Sequence, residues 1–347
     1  MFQARDTPFP ERHRLFRAGI LVYEFASGGG FGSTRPPPAI LAEGRAMRDA
    51  LCADLAAAGL AVTTVATPGA PALVGIPCIT ASPASSPADF LACHAADYRA
   101  LWLIAPESEG IAARLSASLE QRNTTMLGCS SHGIALAGSK SSALARLAAA
   151  GVATVPTWPL ANAPLASHDL WVVKPDSGCG CEGMARLAAA DVPARGDGAG
   201  PTAIAQPWLN GRPLSLSLLI TGERTELLSV NHQHISIAPD GSLALLGLSR
   251  CHDLSPALRE QLAALGRRIV AAIPGLAGFI GVDLILTPDQ RAVVLEVNPR
   301  VTSAYVGLSQ LLGRNLAGDI VKAHLPELLP RCLQTPHWSA GMSVAPT

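Results

Sequence analysis

The chain has 347 residues, 26 basic and 26 acidic side chains, a formal net charge of +0 and a pI near 7.1. That length exceeds what one core usually serves, so two or three domains are expected. No basic stripe points to nucleic acid, and no apolar run is long enough to cross a membrane. The start lacks the apolar stretch of a secretory signal, and the 8 cysteines are scattered without a CxxC pair, which fits a reduced, cytoplasmic protein.

In chain order, residues 1–17 read as a polar leader. The run AGILVYEF (18–25) suits a buried parallel strand and empties into a glycine-rich turn. An Ala-rich helix over 39–58, the strand LAVTTVA, the strand ALWLIAP (100–106) and a helix over 109–121 follow. This alternation predicts an α/β fold that begins with a doubly wound domain over 18–136, its ligand site beyond the strands' carboxyl ends. Residues 137–205 read as a central subdomain, opening with the helix SKSSALARLAAAG and continuing into the strand DLWVVKP, with a surface loop over 191–201. Residues 206–335 read as an α+β unit of long strands with helices near 255–272 and 303–324, and 336–347 as a loose tail.

The strand VVLEVNPR carries Glu296 and Asn298 two residues apart, hence on one face. The preceding arm, GVDLIL, carries Asp283, and LTPDQRAVVL between them reads as a hairpin turn. If the arms pair, Asp283 lies beside Glu296. Two buried carboxylates together are costly unless compensated. Oxygen donors of this kind suit Mg²⁺ (or Mn²⁺) holding substrate phosphates, whereas the alternative is separate carboxylates paired with Arg291 or Arg300, or turned to solvent.

Of 26 basic residues only three are lysine, Lys140, Lys174 and Lys322, so a retained lysine hints at a need for a compact ammonium. Lys174 ends a strand and is followed by KPDSGCGCEG, in which Ser177, Gly178, Gly180 and Gly183 can present backbone N–H groups to phosphate; an ordinary flexible turn is the alternative. Further on, QPWLNGRPLS offers Gln206 to a purine edge and the backbone at Trp208 and Leu209 as a hinge. His232 and His234 form an HxH that can be metal-ligating or simply hydrogen-bonded. Glu107, past the third strand, can face the cleft or cap a helix. Glu24, beside Gly28, Gly29 and Gly30, can pair with a substrate ammonium or with an Arg that fixes the loop.

Taken in order, the two lysines, the glycine-rich loop, the hinge, Asp283 and Glu296-x-Asn298 resemble the ATP-grasp superfamily over residues 18–330. The resemblance implies an ATP-grasp fold with central lid and C-terminal subdomains. It also implies that Lys140 and Lys174 contact ATP phosphates and that the acid–acid–Asn set holds one or two Mg²⁺. Pro213 stands where that family often has a ribose-binding Glu. YEFASGGG, KPDSGCGCEG, LSVNHQHI and EVNPRVTSAYVGL further resemble the tyramine–glutamate ligases of methanofuran biosynthesis and their bacterial relatives. That resemblance implies an ATP-dependent carboxylate–amine ligase working through an acylphosphate, with Lys174 and Arg300 in catalysis. The small-molecule acid and amine would meet Glu24, Gly28, Gly29, Gly30 and Asn231. A different amino-acid or peptide ligase, or a non-catalytic nucleotide binder, are the other readings, and a homodimer is left open.

Overall fold

The computed structural model describes residues 19–178, 180–196 and 202–330. The expected leader (1–17) and tail (336–347), and part of the expected 191–201 loop, lie outside the described residues.

Four parallel strands, β1 (Ile20–Glu24), β2 (Val62–Ala66), β3 (Cys78–Thr80) and β4 (Ala100–Ile104), form the first sheet in the order β3-β2-β1-β4. β1 is buried along its whole length, as a central parallel strand covered on both faces must be. Leu21 and Tyr23 enter one core, with α2 (Pro87–His94) and α3 (Ile111–Glu120). Ile20 and Val22 enter the other, with α1 (Pro38–Ala57). Strand β3 and helix α2 carry no strong apolar period in the sequence and go beyond the expected elements; Ser86 caps α2 by accepting from Asp89 N, with Pro87 at its first turn.

After α4 (Ser131–Gly138) and α5 (Lys140–Ala149) comes a small antiparallel sheet. It comprises β5 (Trp158–Pro159), β6 (Leu170–Pro175), β7 (Ala185–Ala188) and β8 (Ala203–Pro207), ordered β5-β8-β6-β7. A short helix, α6 (Val192–Gly196), lies within the β7–β8 connection. Trp171, Val173, Val192 and Ala205 form this sheet's own core, and the alternate residues Val172 and Lys174 point into a cleft.

The third sheet is antiparallel, ordered β11-β10-β9-β12-β13. Its strands are β9 (Arg212–Thr221), β10 (Arg224–Ile237), β11 (Leu243–Arg250), β12 (Gly278–Leu286) and β13 (Ala292–Asn298). Leu214, Leu216 and Leu218 turn one face of β9 onto α7 (Pro256–Ala272) and the first core, each contributing about 1.5–3 kcal/mol by burial. Leu219 and Phe279 join the second core with α9 (Leu316–His324). Both cores therefore run from the first sheet into the third. The helix expected over 303–324 is instead a short 3₁₀ turn, α8 (Leu308–Leu312) and α9, because Gly307 and Gly313 adopt φ of +74° and +63° and break the ladder between them.

Candidate active site

The hairpin of β12 and β13 sets Asp283 directly opposite Glu296, and Gly281 opposite Asn298. A bulge at Leu295 follows, re-aiming the strand end as bulges beside sites do. Asp283 Oδ1 accepts from Gln233 Nε2 at 3.0 Å and Oδ2 from Asn298 Nδ2 at 3.2 Å. Glu296 Oε2 lies 3.2 Å from Lys140 Nζ. Neither acid pairs with Arg291 or Arg300. Burial and the charge of Glu296 push the Asp283 carboxyl well above the usual range. For Glu296 burial works upward too, but Lys140, Lys174 and the hydrogen bond with Asp283 outweigh it and hold that carboxylate low. Of the two carboxyls, Asp283 is thus the one whose surroundings favour its proton. Two carboxylates and an amide oxygen form a hard donor set that fits a divalent cation of the Mg²⁺ class.

Lys140 and Lys174 line the same cleft as the two acids, Lys140 in direct contact with Glu296. Lys174 is 2% exposed, and burial together with neighbouring Lys140 brings its ammonium down to about 8, against the opposing pull of Glu296 and Asp283. Lys140 opens α5, and its Nζ also donates to Gly178 O at 3.2 Å. Asp176 joins the two lysine-bearing segments: its carboxylate accepts from Ser141 N at 2.7 Å and Ser139 Oγ at 2.6 Å, while its carbonyl accepts from Lys140 N at 2.9 Å. Gly178, Gly180, Cys181 and Glu182 line the cleft. Gly180 and Gly183 take φ of +68° and +69°, where a side chain is strained. Gly178, Gly180, Gln206, Trp208, Leu209 and Pro213 all line the cleft; Ser177 and Gly183 lie in the same loop but outside that lining. Trp208 N donates to Leu170 O, so of the two hinge residues its amide is already used by the sheet.

Several expected contacts fall elsewhere. Glu24 does not face the cleft as an anchor for a substrate amine: its oxygens accept from Ala26 N at 2.8 Å and Ser27 N at 2.7 Å, and α1 passes over it at Gly44, where a Cβ would sit 2.5 Å from the carboxylate. The strand ends here, so these N–H groups have no ladder partner, and the nearest carboxylate takes them. Glu24 thus fixes its loop through backbone donors, with burial holding its carboxyl above the usual range. Gly28 and Gly30 are packing glycines, since a Cβ would meet Glu24 O and the Phe25 ring at 2.5 Å, and Gly29 adjoins them outside the cleft lining. Asn231 is buried within the sheet, donating to Ser229 Oγ at 3.3 Å and Ser215 Oγ at 3.4 Å. Its neighbour two residues on, Gln233, reaches Asp283 instead; the same-face spacing in NHQ was the available signal. Arg300 turns from the cleft lining to Glu107, donating from Nε to Oε1 at 2.9 Å, so Glu107 neither faces the cleft nor caps a helix. His234 meets Ser249 Oγ at 2.8 Å and His232 lies 3.6 Å from Asp253.

This arrangement, one lysine at the start of α5 and one on β6 beside an acid–acid–Asn hairpin, accords with comparison to known proteins. Residues 137–304 match the ATP-grasp domain and residues 60–134 the pre ATP-grasp 3 domain. Residues 137–304 form an ATP-grasp domain. An ATP-grasp superfamily protein from Archaeoglobus fulgidus shares the fold at a TM-score of 0.70 and 24% identity, covering 88% of each chain. D-alanine–D-alanine ligase from Bacillus anthracis shares it at a TM-score of 0.64 and 14% identity, over 90% of this chain and 98% of that one. The tyramine–L-glutamate ligase of Methanocaldococcus jannaschii is 28% identical over 226 residues, 63% of this chain and 63% of that protein's length. The cleft is lined from the β5–β8 sheet and from the third sheet. No helix among the described residues is long and apolar enough to cross a membrane.

Proposed function

We propose that the chain is an ATP-dependent carboxylate–amine ligase, joining glutamate to tyramine or tyrosine in a methanofuran-type pathway, in the cytoplasm. The observation that carries the ligase reading is the convergence of Lys140, Lys174, Asp283 and Glu296 on one cleft that Gly178 and Gly180 also line, with Asn298 hydrogen-bonded to Asp283. The substrates rest on similarity to the tyramine–L-glutamate ligases. In this reading residues 18–136 present the acid and amine, 137–205 act as the lid, and 206–335 supply the floor of the nucleotide site.

Asp283, Glu296 and Asn298 would hold Mg²⁺ or Mn²⁺. When bound, such an ion supplies charge neutralisation for the phosphate oxygens. Lys140 and Lys174 offer ammonium groups to those oxygens, and the buried position of Lys174 makes its charge act with little screening. Asp176 ties the segment after Lys174 to the start of α5, which fixes the two lysines relative to each other. Arg300, two residues past Asn298, is held by Glu107 outside the cleft lining, so no step is assigned to it. A carboxylate oxygen of the acid attacks the γ-phosphorus, the bond to the β-phosphate oxygen breaks, and ADP leaves. The amine nitrogen then attacks the acyl carbon, phosphate departs, and the nitrogen loses a proton. Protein chemistry here is positioning and charge, as phosphoryl transfer requires.

The test is isotopic. With glutamate labelled by heavy oxygen in its side-chain carboxylate, one labelled oxygen per turnover should appear in inorganic phosphate. Amide formation with unlabelled phosphate, or AMP instead of ADP, would contradict the acylphosphate route.

A further inference from the structure

Lys174 and Lys140 lie together in the cleft, at the end assigned above to phosphate. Two residues back from Lys174 along β6, about 6–7 Å away, Val172 pairs with Gln206 of β8, and Leu209, Met184 and Ile285 supply apolar walls around it. A planar base fits there. Gln206 is 2% exposed, so the direction of its amide decides what that base must offer.

That direction follows from a proton count. Trp158 pairs with Ala205, which brings Thr157 level with Gln206 at the edge of the lid sheet. Thr157 Oγ1 donates its one proton to Val155 O at 3.0 Å. Toward Gln206 the hydroxyl therefore has only lone pairs to give. Gln206 must present Nε2 to it, and does so at 2.9 Å. The orientation is set by hydrogen-bond logic, as amide orientations have to be. Gln206 Oε1 is left with no protein donor among the described residues, on a side chain that lines the cleft.

We infer that Thr157 is a positioning residue that holds Gln206 as an acceptor-only reader of the base, selecting a purine with an exocyclic amino group over one with a carbonyl at the same position. The inference rests on the nucleotide reading proposed above. An amino group donates to Oε1. A carbonyl there would meet it oxygen to oxygen. Turning the amide over would set Oε1 against the Thr157 lone pairs, or would strip Val155 O of its donor if the hydroxyl followed. Thr157 is half-buried at a sheet edge, so its replacement by Val removes the proton count and leaves the packing.

The experiment is calorimetric titration of the full chain with MgADP and with MgIDP, which differ in the C6 substituent and, with it, in a proton on N1; the change of their ratio on altering Thr157 isolates the part that Thr157 sets. The parent should prefer MgADP by about tenfold or more, the worth of one well-made hydrogen bond. Thr157→Val should bring the ratio to within about threefold while melting with the parent, because the freed amide serves either base. Thr157→Ser should keep the parent ratio. Adding Gln206→Glu to Thr157→Val should restore the preference, since a carboxylate only accepts. An unchanged ratio in Thr157→Val, or equal binding of both nucleotides by the parent, overturns the inference and leaves the nucleotide reading standing. Binding of neither nucleotide overturns the nucleotide reading and this inference with it.

Discussion

Replacing Glu296 by Gln keeps the shape of the side chain and removes one negative charge from beside two buried lysines. Glu296 Oε2 lies 3.2 Å from Lys140 Nζ, with the two side chains 19% and 7% exposed. At an effective dielectric of about 20 that separation corresponds to about 5 kcal/mol of attraction. Residual solvent contact screens part of it, and losing one partner of a largely buried pair costs about 3–5 kcal/mol. We therefore expect the unliganded variant to lose about 3 kcal/mol, seen as a melting temperature lower by about 4 °C. Lys174 loses a counter-charge as well, so its ammonium, already brought down to about 8, falls further. The sharper readout is nucleotide binding. In the parent, Mg²⁺ should raise ATP affinity by about tenfold or more, about 1.4 kcal/mol, whereas in the variant affinity with Mg²⁺ and affinity in chelator should agree within a few-fold. Calorimetric titration of ATP with and without Mg²⁺ decides it. A variant that melts like the parent and keeps the full Mg²⁺ dependence would refute the placement of Glu296 as a cation ligand paired with Lys140.

Lys174→Arg should cut turnover by about a hundredfold or more despite its conserved charge, because a planar guanidinium cannot occupy a buried position shaped for an ammonium beside the glycine-rich loop; steady-state kinetics check this. Glu24→Gln should lower stability by about 1–3 kcal/mol, because an amide nitrogen cannot accept from Ser27 N, and should leave KM values for acid and amine within a few-fold of each other's change; melting curves and kinetics together test it. MgADP affinity should rise with pH as Asp283 releases its proton to make room for the cation, then fall as pH passes about 8 and Lys174 loses its charge. The stability of the unliganded chain should run the other way over the first of these ranges. The folded Asp283 carboxyl titrates above its unfolded value, so that contribution is present at low pH and is lost as pH rises through the folded value.

What sequence could show depended on whether geometry was local. The facing of Asp283 and Glu296 follows from two-residue periodicity and a short hairpin, and both are visible in GVDLILTPDQRAVVLEVN. The fold class follows from the alternation of strands and helices in the first 136 residues and from the order of lysine, glycine-rich loop and acids after them. Contacts between distant segments were hidden. Gln233 donates to Asp283 across 50 residues and Arg300 to Glu107 across 193, and no period within either segment announces the other. Glu24 shows a different obstacle: a carboxylate at a strand end can serve a ligand or its own turn, and only the positions of Ala26 N and Ser27 N decide between them. Asp176 had the same ambiguity, reading as one polar residue in a loop although it ties both lysine segments together. The helix expected over 303–324 failed because an apolar period persists across Gly307 and Gly313, whose backbone conformations end helices.

The central claim is that this cleft makes an amide from an acid and an amine at the expense of ATP. Its most direct test is coupled ADP release by the full chain with glutamate plus tyramine, tyrosine or other amines, followed by mass spectrometry of the products. The account predicts ADP formed only when acid, amine and a divalent cation are all present, with one γ-glutamyl amide of tyramine or tyrosine per ADP. ADP release independent of any amine, or efficient joining of D-alanine or other amino acids with no glutamyl amide of an aromatic amine, would contradict it.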